Sequence, residues 1–195
     1  MNETLASELV FMRRRDLKIR QQLLDAGQLS ATYNPVMEEV HRSNAARLRE
    51  IIAVNGWPNE NLVGKSGAEA AWFIVQHAIG EPDFQRATLV TLQDQAAQGE
   101  IPAWHPAYLE DRIAMYEGRP QRYGTQWMDD PVDGEVRPWK LEDPDRINEL
   151  RASVGLDPMR PIPESGPALP EIQQEELRTM HANWEEWMVK TGWRK

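Results

Sequence analysis

The sequence predicts a mainly α-helical protein. Three observations support this class. Apolar residues recur at helical spacing through most of residues 3–118, and helix-opening prolines and helix-closing glycines flank these runs. Only one short segment shows the strand composition and Asp-Gly turn of a β-hairpin. We therefore expect a single helical domain of six to seven helices, with one small hairpin near residues 122–139.

Composition narrows the class of function. The chain has 195 residues, no cysteine, and 31 acidic against 22 basic residues, for a net charge of −9. The acidic balance disfavours a nucleic-acid partner, and the missing cysteines exclude disulfides and thiolate chemistry. Residues 1–15 lack the apolar core of a signal peptide, and no later run is long enough for a membrane span. We expect a soluble cytoplasmic protein without a membrane partner.

The first helix is predicted over residues 3–26, where apolar side chains form one stripe and Gly27 ends the run. Asp16 occupies a position in that stripe where an apolar residue is expected. Arg20 follows four residues later, close enough to pair with it on one helix face. Asp16 either forms an ion pair at the edge of the core or lines a cavity. Both interpretations stay open, because a buried charge requires a partner in either case.

The second and third helices carry most of the predicted core. The second helix runs from Pro35 to Asn55, and the third runs from Gly67 to about Ile79. The third helix is apolar nearly all round, which is typical of a helix buried in the middle of its domain. Gln76 and His77, near its end, are expected to be enclosed as well.

His77 has two interpretations of equal standing. A lone buried histidine is commonly a core residue whose ring nitrogens are satisfied by hydrogen bonds. The other interpretation is a catalytic or ligand-binding role, since histidine exchanges protons near neutral pH.

Polar residues also interrupt the next two helices. The fourth helix is predicted from Pro82 to Gly99, with Gln85 on its core-facing stripe. The fifth is predicted from Pro106 to Gly118, with Asp111 on its apolar side and Arg112 beside it. These residues extend the set of hydrophilic groups that face the interior.

The remaining chain changes character. Two strands, Arg122–Met128 and Glu135–Trp139, are predicted to form the hairpin, and a short helix follows up to Gly155. The Pro-rich stretch 157–170 is predicted to be an extended tether. The last helix, about Glu171–Lys190, packs back on the domain or forms a homodimer with a second copy. The predicted division is thus 1–156, 157–170 and 171–195.

The order of motifs resembles a bacterial family catalogued only as a domain of unknown function. The resemblance covers about residues 9–160 and implies a shared helical domain, with no established reaction, cofactor or substrate. Leu17 departs from it, since relatives often have Gln there, and the tail after Pro163 lies outside the pattern. The motifs are Asp16 and Arg20, Gly56-Trp57-Pro58, Val63-Gly64, Ala70-Ala71-Trp72, Gln76-His77-Ala78, Phe84-Gln85, Tyr108 to Ile113, Gly118 to Gln126, and Val154 to Pro158.

These residue types favour a small-molecule enzyme that uses metal-free acid–base chemistry in a buried polar pocket. Hydrolysis, isomerisation and cyclisation all need such proton transfers, and none requires a cofactor. We predict His77 as acid or base, Asp111 as its partner, and Asp16 as a third proton carrier. The candidate substrate-binding residues are Arg20, Gln76, Gln85, Arg112, Gln121, Tyr123, Thr125 and Gln126.

Two alternatives stand beside this prediction. A metal site on His77, Asp111 and Asp16 ranks below metal-free chemistry, because these residues show no ligand spacing along the chain. A non-catalytic small-molecule-binding or protein-interaction module is the alternative from another class. The eight tryptophans favour it, since aromatic residues are enriched in protein contacts.

Overall fold

The computed structural model describes residues 1–29 and 33–195. Within those ranges the chain forms seven helices and a two-stranded antiparallel hairpin, so the predicted mainly α class is confirmed. None of the described helices combines the length and apolar character needed to cross a bilayer. The elements are α1 Glu3–Asp25, α2 Pro35–Asn55, α3 Glu60–His77, α4 Pro82–Ala97, α5 Trp104–Tyr116, β1 Trp127–Asp129, β2 Val136–Pro138, α6 Ile147–Ser153 and α7 Glu171–Lys190.

The chain divides into two compact units, Met1–Ile101 and Pro102–Lys195. The first unit holds α1 to α4, and the second holds the hairpin and α5 to α7. The boundaries predicted from the sequence, after residues 156 and 170, both fall inside the second unit. The predicted tether is attached there, because Leu169 N–H donates to the Val132 carbonyl at 2.8 Å.

The helices of the first unit begin at asparagine caps. The side chains of Asn2, Asn34 and Asn59 accept hydrogen bonds from backbone N–H groups in the first turns of α1, α2 and α3. These helices then bury one face each. The fully enclosed side chains at their centre are Leu9, Leu48, Ile51 and Ile74, with Leu92 from α4.

Two glycines shape α3. Gly64 interrupts the helix with φ 69° and ψ 170°, a conformation that glycine adopts without steric cost. At Gly67 a Cβ atom would lie 3.3 Å from the Ala6 Cα of α1, so the missing side chain permits close packing of the two helices. The regular part of α3 covers residues 65–77, which starts near the predicted Gly67 and ends two residues before the predicted Ile79.

In the second unit the hairpin is shorter than predicted. Its register pairs Trp127 with Pro138, Met128 with Arg137, and Asp129 with Val136. The prediction extended the first strand back to residue 122, but residues 121–126 form a loop whose hydrogen bonds are described below.

Helix α7 has the predicted bounds and packs on its own unit at its carboxyl end. Met188 and Trp193 are buried there, and the Arg194 guanidinium donates to the carbonyl groups of Met115 and Tyr116. The predicted contact of this helix with its own chain is thus present at its carboxyl end, and the predicted homodimer stays a prediction.

Candidate functional site: a buried carboxylate between two histidines

Asp16 is placed in the interior by the helical repeat of α1. It follows Leu5, Leu9 and Met12 on the buried side of the helix, and none of its surface is exposed. A carboxylate removed from water requires partners that replace its hydration. The predicted partner, Arg20, is exposed to solvent. Other helices supply the partners.

Two histidines meet the Asp16 carboxylate. His77, at the end of α3, places Nδ1 3.3 Å from Asp16 Oδ2 in a hydrogen bond. His41, from α2, places Nε2 3.0 Å from the same oxygen. The two imidazole rings lie edge to face, with their centroids 5.1 Å apart. Three helices therefore bring one acid and two imidazoles to a common point.

Tyr33 holds the far side of the His41 ring. Its hydroxyl oxygen lies 2.6 Å from His41 Nδ1, and the two rings stack with their centroids 5.6 Å apart. Because Nδ1 faces the phenol, Nε2 faces Asp16. The contacts thus run in one line from Tyr33 through His41 and Asp16 to His77.

Among Asp16, His41 and His77, the His77 side chain is the most exposed. Its side chain is 28% exposed, whereas that of Asp16 is fully enclosed. The Phe73 ring packs on it with centroids 3.9 Å apart, and the Arg13 guanidinium lies 5.4 Å from the Phe73 centroid. His77 is thus the more accessible of the two imidazoles.

The electrostatic balance keeps Asp16 ionised. Burial raises the pKa of its carboxyl group, but contacts with His41 and His77 outweigh burial and hold the pKa at about 2. The cluster therefore contains a fixed negative charge under a half-buried imidazole.

Gln76 and Gln85 are both buried, but only Gln85 has hydrogen-bond partners among the described residues, and the predicted substrate contacts of both stay predictions. Gln85 is fully buried, and its amide nitrogen donates to the carbonyl of Val75 at 2.7 Å and more weakly to that of Gln76. This contact ties α4 to the end of α3 that carries His77. The Gln76 amide is also buried, and among the described residues neither its oxygen nor its nitrogen has a hydrogen-bond partner.

Asp111 belongs to the second unit, and its carboxylate is occupied by main chain. Its Oδ1 accepts backbone N–H groups of Arg122 at 2.8 Å and Tyr123 at 3.0 Å. Its Oδ2 accepts both the N–H and the hydroxyl of Thr125, each at 2.9 Å. Burial raises the pKa of Asp111, and these hydrogen bonds oppose the rise without cancelling it. The Asp111 carboxylate thus holds the loop 121–126 in its conformation.

The other polar residues of that loop bond mainly to one another. Gln121 donates to the carbonyls of Gln126 and Trp139 and accepts the Gln126 N–H at 2.9 Å. The Gln126 side chain donates to the Thr125 hydroxyl. The amides and the hydroxyl predicted to hold a substrate therefore hold the loop that leads into the hairpin. This is why the first strand is shorter than predicted.

Arg112 has a neighbour inside the second unit. Its guanidinium lies near the Tyr116 hydroxyl. Burial raises the pKa of the Tyr116 phenol, and the guanidinium partly opposes this rise. Its predicted role in substrate binding stays a prediction.

The sequence analysis missed His41 and Tyr33. His41 lies between Met37 and Ala45 on the buried side of α2, so it interrupts an apolar stripe as Asp16 does on α1. The same search for a polar residue in a core-facing position would have found it. Tyr33 gives no such signal, because it precedes the helix.

The cluster also has the composition of a metal site. Asp16, His41 and His77 each offer one ligand atom, and these atoms lie within 4.8 Å of one another. Two imidazole nitrogens and one carboxylate oxygen are ordinary ligands of divalent transition metals.

Fold and site together define a mainly α-helical protein with a buried carboxylate between two histidines. The chain belongs to DUF6624, a family of unknown function whose model matches residues 3–163. The resemblance predicted from the sequence motifs is thereby confirmed at the level of the family. The matched range includes the Asp16 cluster and the Asp111 loop, and it ends before α7. No curated protein and no solved structure matches the chain.

Proposed function

We propose that this protein is a small-molecule enzyme that transfers protons at His77, with Asp16 orienting the imidazole. The reaction class is hydrolysis, isomerisation or cyclisation, in the cytoplasm. One observation supports the proposal above the others: a fully buried carboxylate contacts an imidazole that is itself 28% exposed. A histidine oriented by a carboxylate on one ring nitrogen is a common arrangement for general acid–base catalysis.

The two ring nitrogens of His77 have separate tasks in this proposal. Nδ1 faces Asp16, so the carboxylate fixes the ring orientation and stabilises the imidazolium that forms after proton uptake. Nε2 is the atom that exchanges the proton with the substrate. His41 contacts the same carboxylate, and Tyr33 contacts His41, so both residues help to keep the Asp16 carboxylate in position.

Asp16 takes the role that the sequence analysis gave to Asp111. The Asp111 oxygens already accept three backbone N–H groups and one hydroxyl, and moving them would open the loop 121–126. Asp16 is different, because its neighbours are titratable side chains from other helices. A proton-transfer site needs groups that change their protonation state, and Asp16 contacts two of them.

A substrate screen with an isosteric variant tests the proposal. Wild-type protein is incubated with esters, lactones, amides and enolisable carbonyl compounds, and products are detected by mass spectrometry. In His77→Asn the amide nitrogen stands in for Nδ1 and can donate to Asp16, but the base is removed. We expect turnover of a converted substrate to fall about a hundredfold or more.

His181→Asn is the matched control, because it removes a histidine of the second unit by the same change. It should keep wild-type turnover. Equal turnover in His77→Asn and wild type would contradict the proposal, and so would conversion of nothing in the panel or in a cell-extract metabolite mixture.

A second candidate, a non-catalytic binding module, is supported by a cavity in the second unit. The cavity has a volume of about 580 Å³ and lies between the hairpin and α7, with Trp127, Trp139 and Trp184 in its walls. That volume and aromatic lining suit a small organic ligand. Quenching of tryptophan fluorescence by a metabolite, lost in Trp184→Ala while His77→Asn keeps it, would favour this candidate.

Exposed apolar side chains of α7 extend that candidate to a homodimer. Ile172 and Val189 are 71% and 51% exposed on this helix. Sedimentation velocity over a range of concentrations tests the idea, with Val189→Glu expected to abolish any dimer.

A further inference from the structure

We infer that Asp16, His41 and His77 together bind one divalent transition-metal ion, of the class that includes Zn²⁺, Co²⁺ and Fe²⁺. The inference rests on the same cluster as the proposed function but assigns its groups differently: with an ion bound, His77 Nδ1 and the Asp16 carboxylate are ligands, and metal-bound water, not the imidazole, would exchange the proton. From the sequence, a metal site on His77, Asp111 and Asp16 ranks below metal-free chemistry, because these residues show no ligand spacing, and His41 is not among the candidates. The fold brings them together from three helices.

The set of donor atoms suits such an ion. Two imidazoles and one carboxylate are the protein ligands of many catalytic zinc sites and of non-haem iron sites. Hard cations such as Mg²⁺ and Ca²⁺ prefer sites built from oxygen atoms alone. Three protein ligands also leave coordination positions for water or substrate, as catalytic sites require.

The spacing of the donor atoms agrees with a shared ion. Two ligand atoms that each lie about 2.0–2.2 Å from one metal are separated by roughly 3.0–3.5 Å. Asp16 Oδ2 lies 3.0 Å from His41 Nε2 and 3.3 Å from His77 Nδ1. Within the cluster, one ligand atom from each residue lies within 4.8 Å of the others. The longest separation exceeds the range of about 3.0–3.5 Å, so binding of one ion requires one imidazole to move towards the other.

The contact between His41 and Asp16 is close but is not aligned as a hydrogen bond. Although 3.0 Å separates the two atoms, His41 Nε2 has no hydrogen-bond partner among the described residues. The Asp16 Oδ1 atom is likewise buried and without such a partner in the described ranges. An ion bound by Asp16 Oδ2 would give His41 Nε2 the partner that it lacks.

Tyr33 provides the support that a metal-binding histidine usually has. The ring nitrogen of a ligating histidine that does not face the metal commonly bonds to a neighbouring polar group, which fixes the ring orientation. The Tyr33 hydroxyl lies 2.6 Å from His41 Nδ1 and so directs Nε2 towards Asp16. The ion also supplies the positive charge that the enclosed Asp16 carboxylate requires.

Of the three proposed ligands, His77 is the most exposed. The His77 side chain is 28% exposed, while those of His41 and Asp16 are 10% and 0% exposed. Water bound to such an ion loses a proton near neutral pH, which suits the hydrolytic branch of the proposed function.

Metal titration of the full chain tests the inference. Protein without an affinity tag is treated with a chelator, dialysed, and titrated with Zn²⁺ by calorimetry and with Co²⁺ by visible absorption. We expect one ion per chain and the absorption bands of Co²⁺ bound to nitrogen and oxygen ligands. Asp16→Asn, His41→Ala and His77→Ala should each weaken binding about a hundredfold or more, and Tyr33→Phe about tenfold.

The control is His181→Ala, which removes a histidine outside the cluster and should bind both ions as the wild type does. His77→Asn keeps a donor towards Asp16, so it serves if His77→Ala does not fold. The inference is overturned if neither ion binds stoichiometrically. It is also overturned if the cluster variants bind as tightly as the wild type, or if His181→Ala loses binding to the same extent.

The metal inference and the proposed function fail in different ways. If the wild type binds no ion but His77→Asn still abolishes turnover, the metal inference fails and proton transfer by His77 is retained. If the ions bind as expected but no substrate is converted with or without them, the enzyme proposal fails and the metal site is retained.

Discussion

Asp16 and Asp111 are both completely buried, yet their surroundings are opposite. The Asp111 oxygens accept three backbone N–H groups and a hydroxyl from one loop of its own unit. Asp16 contacts two imidazoles from two other helices, and its Oδ1 has no hydrogen-bond partner among the described residues. The net pKa shifts also differ in sign: burial raises the pKa of Asp111, whereas the histidines lower that of Asp16 despite burial.

This difference separates a structural carboxylate from a candidate functional one. A carboxylate whose acceptor sites are filled by main chain fixes a fold and has no capacity left for a ligand. A carboxylate surrounded by titratable or ligating side chains, with one oxygen that has no hydrogen-bond partner, can still bind a ligand or take part in proton exchange. Burial alone does not distinguish the two, and the identity of the partners does.

Asp111→Asn should have the largest effect on stability. Both oxygens accept backbone N–H groups, so either orientation of the new amide places its NH₂ against a donor. We expect the free energy of unfolding of the second unit to fall by about 3–5 kcal/mol. Urea denaturation followed by circular dichroism measures this. Stability equal to the wild type would contradict the structural role of Asp111.

Acidification should cause the next largest loss of stability, again in the second unit, which contains Asp111. Burial lowers the pKa of His105 from 6.5 to about 4. The unfolded chain therefore takes up a proton that the folded unit does not, so stability is lost as pH falls from about 6.5 towards 4. The difference corresponds to roughly 3 kcal/mol. Unfolding measured across this range in wild type and His105→Gln should show a smaller pH dependence in the variant.

His77→Asn should change stability less than either Asp111→Asn or acidification, because its side chain is partly exposed and the variant keeps a donor towards Asp16. We expect the free energy of unfolding to change by about 1 kcal/mol or less. Arg20→Ala, at an exposed position of α1, is the control and should stay within about 0.5 kcal/mol. A loss in His77→Asn as large as that in Asp111→Asn would remove the distinction between the two carboxylates.

Much of the fold could be predicted from the sequence, because local signals set the helix bounds. Pro35 and Gly56 delimit α2, and the bounds Glu171–Lys190 of α7 agree with the prediction. The first strand was the main error. Residues 122–126 have a strand-like composition, but their N–H groups bond to Asp111 from α5, a contact that no local pattern encodes.

The candidate site could be predicted only in part. Asp16 and His77 stood out because each places a polar group on a surface expected to be apolar, and both belong to the cluster that the structure shows. Their association could not be predicted, since 61 residues separate them. His41 carried the same signal on α2 and was overlooked, while Gln121 and Gln126 were assigned to a substrate although they hold a loop.

The sequence by itself determined the helices, their ends, and which side chains turn inward, because hydrophobic periodicity and capping act over a few residues. The tertiary structure decided which inward-facing polar groups meet. That outcome depends on the packing of α1, α2 and α3, which brings Asp16, His41 and His77 within hydrogen-bond and ion-pair distance. It depends equally on the loop of the second unit that surrounds Asp111 with main-chain donors.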